Sequence, residues 1–197
     1  ERYLTPFSDI TALMVLEHQV LVHNRITKAN YTYRQAVAYQ EVMNKALQQP
    51  LETELESTGR RIQSAGDRLV EALLFVNEAP LAGPIRGNAG FEAVFTANGP
   101  RDSQGRSLRD LEMQQRMFRY PCSYLIYSEA FQQLPQRMRD YVWSRLRSVL
   151  HSEVDDEKFA HLSSDDRRAI LEILAETHPQ VPANWLEASS NPAAAAE

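Results

Sequence analysis

Apolar residues crowd the first half of a long stretch that contains no helix breaker. The stretch begins after Ser8 or Asp9, either of which could cap a helix, and Pro50 follows its end. The pattern predicts one helix over 9–48. Its first half has apolar side chains on nearly every side, which is typical of a central, buried helix, whereas its second half is amphipathic. These apolar residues are Ile10, Leu13, Met14, Val15, Leu16, Val20, Leu21, Val22 and Ile26.

The rest of the chain alternates between helical patterns and one region of a different character. Helices are predicted over 58–77, 91–97, 107–119, 123–133, 136–150 and 163–177. Residues 79–107 hold five of the seven glycines and three prolines, which predicts a long ordered loop lying over the helices. No alternation typical of a strand is present.

The predicted fold class is therefore all-α: an irregular helical bundle around one long central N-terminal helix, with a long loop rich in Gly and Pro. A length of 197 residues suits one domain, which we place at 1–187. Trp185 is expected to pack back on the core. The terminal sequence ASSNPAAAAE (188–197) is predicted to be a disordered tail.

Composition excludes several classes of function. The net charge of −5 argues against a nucleic-acid partner, because such a surface needs a broad basic face. Cys122 is the only cysteine, so the chain holds no internal disulfide and no CxxCH motif for covalent haem. The longest apolar run has five residues, so no transmembrane segment is predicted. Because the chain starts at Glu1 without Met, we expect a processed or partial chain.

The first helix carries the most informative polar residues. On a helical wheel, Leu16, Val20 and Thr27 fall within about 60° of Leu13. Glu17 and Asn24 flank this stripe, and His23 lies near its other edge. His18 stands beside Glu17, while Asn30, Tyr31 and Arg34 continue the line in polar form. The pattern predicts polar groups that face whatever packs on the helix, and burying them costs several kcal/mol unless they are paired.

Three interpretations of this polar line remain open. The favoured one is a buried hydrogen-bond network in which Glu17 meets an arginine of another helix. The second is a pocket for a small molecule or haem, and the third is a metal site. His18 and His23 are five residues apart, about 140° around the helix, so they cannot share one ion as an i, i+4 pair would. We therefore predict no metal ligands.

A second group of candidate residues lies in and beside the glycine-rich loop. Arg86, Arg101, Arg106 and Arg109 could clamp a carboxylate or a phosphate. The loop has no P-loop motif, so the favoured interpretation is a loop tied down by bonds from arginine to backbone and carboxylate. Cys122 is predicted to be a packed small residue and His161 a packing or capping residue. The aromatic core is predicted to contain Phe118, Tyr120, Tyr124, Tyr127 and Phe131.

Five stretches carry a resemblance to a known group of proteins. They are YLTPFSDITALMVLEHQVLVHNRITKANY (3–31), EAPLAGPIRGNAGF (78–91), GPRDSQGRSLRDL (99–111), FRYPCSYLIYSEAFQQLP (118–135) and FAHLSSDDRRAILEILAETHP (159–179). Together they resemble the C-terminal part of an uncharacterised group of exported bacterial proteins associated with c-type cytochromes, by fusion or as partners. The resemblance implies a periplasmic location and a preceding N-terminal region. It also implies that any haem belongs to that region or to a partner, since this chain has no cofactor motif.

Three functions follow as expectations. The first is a periplasmic redox-associated helical domain that binds or supports a c-type cytochrome or another haem-bearing partner. The second is a structural or assembly subunit without chemistry of its own. The third is an enzyme with a site between the first helix and the arginine-rich loop, where burial would shift the pKa values of titratable groups. The sequence does not decide whether the protein is an enzyme.

Overall fold

The architecture is that of an all-α protein. A computed structural model describes residues 9–87, 90–153 and 156–187. Its helices are α1 (Ile10–Ala46), α2 (Glu56–Leu73), α3 (Phe91–Ala97), α4 (Glu129–Gln132), α5 (Gln136–Leu150) and α6 (Ser164–Thr177), with 3₁₀ turns at Tyr124–Tyr127 and Glu157–Phe159. Within those ranges the only β pairing is an isolated antiparallel bridge between Leu111 and Phe118. The predicted fold class is confirmed.

The long first helix forms as predicted. The Asp9 side chain accepts a hydrogen bond from the Ala12 backbone N–H at 3.1 Å, which caps the helix. The helix has 37 residues and is therefore about 55 Å long. It contacts α2 along much of its length, and also α3, α4, α5 and the first 3₁₀ turn. α2 runs antiparallel to it, since Thr58 bonds to the Ala36 carbonyl and Phe75 stacks on His18.

Only one face of α1 is buried, so the prediction of a helix buried all round is wrong. The buried residues are Thr11, Val15, His18, Val22, Ile26, Ala29, Ala36, Gln40 and Asn44. They recur every three to four residues and form the single stripe that packs on the other helices. The opposite face remains apolar but is open to solvent: Leu13, Leu16 and Val20 are 48, 52 and 53% exposed.

α2 ends four residues before the predicted boundary. Phe75 and Asn77 adopt φ values of 58° and 65°, which are incompatible with a continuing α-helix. The Nε2 atom of His161 lies 2.7 Å from the carbonyl oxygen of Leu74 and bonds to it, which confirms that His161 is a capping residue. The turn directs the chain away from the bundle and into the long loop.

The segment 107–119 is not helical, contrary to the prediction. The Asp110 carboxylate accepts the Ser107 backbone N–H at 2.9 Å, and the Glu112 carboxylate accepts N–H groups from residues 114–116. Met113 takes a φ of 56°. Acidic side chains thus satisfy backbone donors in two consecutive turns, which offers the chain an alternative to helical hydrogen bonds.

The C-terminal half closes the core largely as predicted. α5 and α6 match their predicted boundaries, and Ser163 with Asp166 forms a capping box at the start of α6. Trp185 is 1% exposed and its indole N–H donates to the Leu171 carbonyl at 2.9 Å, so it does pack back on the core. The predicted tail at 188–197 lies outside the described residues.

The crossing of α2 and α5 is close at Gly66, and this supports a test of the packing. A Cβ atom at Gly66 would collide with the Tyr141 ring, coming within 2.7 Å of its Cε1 atom. Gly66→Ala is therefore expected to lower the free energy of unfolding by about 1–3 kcal/mol, despite alanine's better helix propensity. Thermal and urea unfolding measure the change.

Gly59 supplies the matched control on the same helix. A Cβ there would meet only the terminal carboxylate oxygen of Glu54, which belongs to an exposed side chain that can turn away. Gly59→Ala is expected to be neutral or to stabilise the protein by up to about 1 kcal/mol. Equal effects of the two substitutions would contradict the close packing of α2 on α5.

Candidate functional site

His18 is the centre of a buried aromatic cluster between α1, the end of α2 and the 3₁₀ turn after Ser123. Its ring stacks on Phe75 with centroids 4.4 Å apart, and it also approaches Phe118 and Tyr124. Its Nε2 atom lies 2.7 Å from the Ser123 hydroxyl, with which it shares a hydrogen bond. Helix α1 places the ring here because position 18 lies on the same stripe as Val15 and Val22.

Burial determines the charge state of His18. It lowers the pKa of His18 from 6.5 to about 4, because the imidazolium would lose its hydration inside the cluster. The imidazole is therefore neutral at neutral pH. Ser123 is fully buried, and its hydroxyl also accepts the Leu125 backbone N–H at 3.3 Å, so it caps a turn and is not accessible as a nucleophile.

An apolar pocket adjoins this cluster. Its volume is about 460 Å³, within the range of small ligand sites. The lining residues come from α1, from the end of α2 and from the turns behind it: Met14, Glu17, His18, Leu21, Ala72, Phe75, Val76, Asn77, Glu78 and Met117. A few polar groups thus converge on a mainly apolar surface, the arrangement expected of a recognition site.

The far wall of the pocket contains backbone conformations that side-chain-bearing residues seldom adopt. Phe75 and Asn77 both have positive φ, and such positions are frequent at functional sites. Beside them, burial raises the pKa of Glu78 above its ordinary value, although the Met117 backbone N–H and the charges of Arg116 and His161 oppose the shift. The pocket therefore combines a neutral histidine with two carboxyl groups, those of Glu17 and Glu78.

The structure separates the polar residues predicted on the first helix. His18 is buried and Glu17 borders the pocket, but Glu17 itself is exposed and makes no ion pair with an arginine among the described residues. Of the remaining residues of the predicted line, Asn30 is partly buried, and the others are exposed: His23, Asn24, Tyr31 and Arg34. The expectation that this line faces the packed side of α1 is wrong, because the buried stripe runs along the opposite side, through Val22, Ile26 and Ala29.

The arginines of the second candidate group are mostly engaged within their own segment. Arg101 donates to Asp110, and Arg106 bridges Asp102 and Glu172 at 2.6 and 2.8 Å. Arg86 is exposed. These contacts match the interpretation of a loop tied down by arginine.

Arg109 differs from the other three arginines. Its guanidinium lies 4.5 Å from the centroid of the Tyr124 ring and 4.8 Å from that of Phe95. Since Tyr124 also approaches His18, Arg109 is the residue of the second group that the fold brings to the His18 cluster.

Four of the five histidines make hydrogen bonds through their Nε2 atoms. The Nε2 atoms of His18, His151, His161 and His178 each bond to a protein oxygen at 2.7–3.0 Å. Ligation of haem iron through the Nε2 atom of any of these four would break that bond, and His23 is exposed on α1. Among the described residues, no three His, Cys, Asp or Glu side chains converge to hold a metal ion.

Known proteins provide no template for interpreting this chain. No protein-family model, no curated protein and no solved structure matches the chain. Within the described ranges, no helix has the length and apolar character needed to cross a bilayer. The pocket and the surface around it are therefore interpreted from their own geometry.

The pocket includes residues that the sequence did not single out. Phe75, Asn77 and Glu78 were expected within or just beyond a continuing helix, and Met117 within another. The run LLFVNEAP (73–80) contained one signal for the end of the helix, an abrupt change from apolar to polar residues before a proline. Nothing in the sequence indicates a positive φ at a phenylalanine, because that conformation is imposed by packing against His18 and Phe118.

Proposed function

We propose that this protein is a binding module that docks a partner protein on the outer face of α1. We define this docking face as Ile10, Leu13, Leu16, Val20 and Leu21. The observation that carries the proposal is that these five aliphatic residues are 48–53% exposed and continue directly into the apolar pocket. Their exposed area is of the order of a few hundred Å², the range at which apolar patches mark interaction sites.

The volume and the charges of the pocket indicate which side chains the partner should present. Its volume of about 460 Å³ admits a large apolar side chain with its neighbours, and such anchors provide most of the binding energy at protein interfaces. Glu17 and Glu78 border the pocket, so an anchor followed by lysine or arginine would complement their charge. The partner is thus expected to present an apolar side chain beside basic residues.

The resemblance to exported proteins associated with c-type cytochromes identifies the first partner to test. In this proposal the module is periplasmic and supports a c-type cytochrome, and the haem stays with that partner. The fold of this chain supports the division, because four of its five histidines make internal hydrogen bonds. A docking role without chemistry of its own also agrees with a pocket whose only histidine is buried and hydrogen-bonded.

Paired substitutions on the two ends of α1 test the docking face. Leu13→Gln/Val20→Gln changes two residues of the face, whereas Val42→Gln/Leu47→Gln changes one Val and one Leu that are distant and at least as exposed. Purified c-type cytochromes of the source organism are immobilised, and binding is measured by biolayer interferometry. We expect the first variant to bind about tenfold more weakly and the second to match the wild type.

Three other outcomes would change or contradict the proposal. If no c-type cytochrome binds, the assignment of the partner is refuted. If the chain instead associates with itself, and Leu13→Gln/Val20→Gln abolishes that association in sedimentation experiments, the face serves assembly and the second expected function replaces the first. Equal binding by both variants would show that the face is not the contact surface.

A further inference from the structure

A second concave surface lies between α1 and α2, beside Ala29 and Ala65. Its volume is about 380 Å³. We call it the basic groove, because its lining contains five cationic side chains and no carboxylate. The lining residues are Arg25, Lys28, Ala29, Thr32, Ser57, Arg60, Arg61, Ser64, Ala65 and Arg68.

Helical periodicity explains why these side chains share one surface. On α2 the cations occupy positions 60, 61 and 68 and the serines occupy positions 57 and 64, which places all five on one side of the helix. On α1, Arg25, Lys28 and Thr32 occupy the facing side at spacings of three and four. Alanines at the base keep the groove open, because a larger side chain there would fill it.

The positive charge of the groove is only partly neutralised. Arg60 pairs with Glu56 at 2.6 Å on an exposed turn, and the Arg61 guanidinium lies 5.2 Å from the centroid of the Tyr39 ring. The side chains of Arg25, Lys28 and Arg68 make no ion pair and no hydrogen bond with any described residue. Five cations within one groove repel one another and concentrate a positive potential that a bound anion would relieve.

We propose that the basic groove binds a compact polyanion carrying two or more phosphate groups. Guanidinium groups recognise phosphate oxygens through paired N–H donors, and the hydroxyls of Thr32, Ser57 and Ser64 supply further donors around them. A chain of net charge −5 would repel anions elsewhere, so the groove is the place where one is attracted. The phosphates could belong to a soluble molecule or to a lipid headgroup.

Calorimetric titration with pyrophosphate tests the proposal on the whole chain. We expect one site per chain, with pyrophosphate bound more tightly than orthophosphate and more weakly as salt is added. Lys28→Gln/Arg68→Gln removes two exposed cations of the groove and should weaken binding about tenfold or more. The matched variant Lys45→Gln/Arg168→Gln removes two exposed cations elsewhere and should bind like the wild type.

The outcomes separate the alternatives. No binding of pyrophosphate, or equal weakening in both double variants, would overturn the proposal, since the second result would reflect net charge alone. Vesicles containing cardiolipin, whose headgroup carries two phosphates, distinguish the source of the phosphate: binding to them that pyrophosphate displaces indicates a headgroup, and pyrophosphate binding without vesicle binding indicates a soluble ligand. Because the groove is distinct from the docking face, Leu13→Gln/Val20→Gln should leave pyrophosphate binding unchanged.

Discussion

Acidification from about pH 7.5 to about pH 5 is expected to lower the free energy of unfolding by about 2 kcal/mol through His18 alone. The pKa of His18 is about 4 in the folded protein and 6.5 in the unfolded chain. Between these values the unfolded chain binds the extra proton, so stability falls as pH falls. The whole effect, about 3 kcal/mol, is reached only below pH 4 or so.

Other titratable groups also lower the free energy of unfolding at acidic pH, and their contributions can be measured separately from that of His18. Burial also lowers the pKa of His178, so this group too destabilises the folded protein as the pH falls below the unfolded value of 6.5. Hydrogen bonds and ion pairs lower the pKa values of Asp102 and Asp166, so their contributions are present above the unfolded values near 3.8 and are lost only at more acidic pH. A variant of His18 therefore isolates its share.

His18→Phe keeps an aromatic ring in the stack and removes the titrating group. The variant will be less stable at neutral pH, since the Ser123 hydroxyl loses a partner, but its stability should depend less on pH by about 2 kcal/mol over this range. Urea unfolding at several pH values measures, for each protein, the slope of the free energy of unfolding against pH. His23→Phe changes an exposed histidine of the same helix and should keep the wild-type slope. Equal slopes for wild type and His18→Phe would show that His18 is not buried as the structure has it.

Replacing Asp102 by alanine is expected to cost about 3–5 kcal/mol of stability. Its carboxylate is fully buried, accepts the backbone N–H groups of Gln104 and Arg106 and pairs with the Arg106 side chain at 2.6 Å. Truncation would leave two backbone donors and part of a guanidinium without acceptors in a poorly solvated place. The loop that carries Arg101 and Ser103 would also lose the contact that orients Arg106 towards Glu172 of α6, while Ser103 keeps its hydrogen bonds to Glu176 of the same helix.

Chemical and thermal unfolding measure this loss against two comparison variants. Asp102→Asn keeps one acceptor oxygen but no charge, so an intermediate loss of about 1–3 kcal/mol is expected. Glu41→Ala removes the same charge from an exposed position on α1 and should change stability by less than about 0.5 kcal/mol. A loss below about 1 kcal/mol for Asp102→Ala would mean that the Arg106 bridge does not hold the loop.

Local signals predicted those elements whose ends are capped by their own neighbours. Asp9 and Ser163 start α1 and α6 as their chemistry requires, and Pro135 precedes the first residue of α5. The helix predicted over 107–119 does not form, because the carboxylates of Asp110 and Glu112 accept hydrogen bonds from backbone N–H groups that a helix would have used. This competing signal is also local, but it was not recognised in the sequence.

The candidate site was predicted only in part. The sequence pointed to His18 and Glu17, because charged and polar groups amid apolar residues are costly unless they have a role. It could not tell which side of α1 would be covered, since apolar residues surround its first half and either stripe could have served as the core face. The sequence could not reveal the basic groove either, because the cations of α1 lie more than 30 positions along the chain from those of α2, which is the facing helix.

By itself, the sequence determined that this chain forms helices, where most of them begin and that no disulfide holds them, since capping, proline positions and cysteine count act locally. The tertiary structure alone decided that one apolar face of α1 is buried and the other is left open beside a pocket. It also decided that α2 stops at a strained turn and that five cations meet in one groove. The reason is physical: each of these features depends on which distant surfaces pack together, and packing free energy outweighs the weak local preferences that a sequence pattern reports.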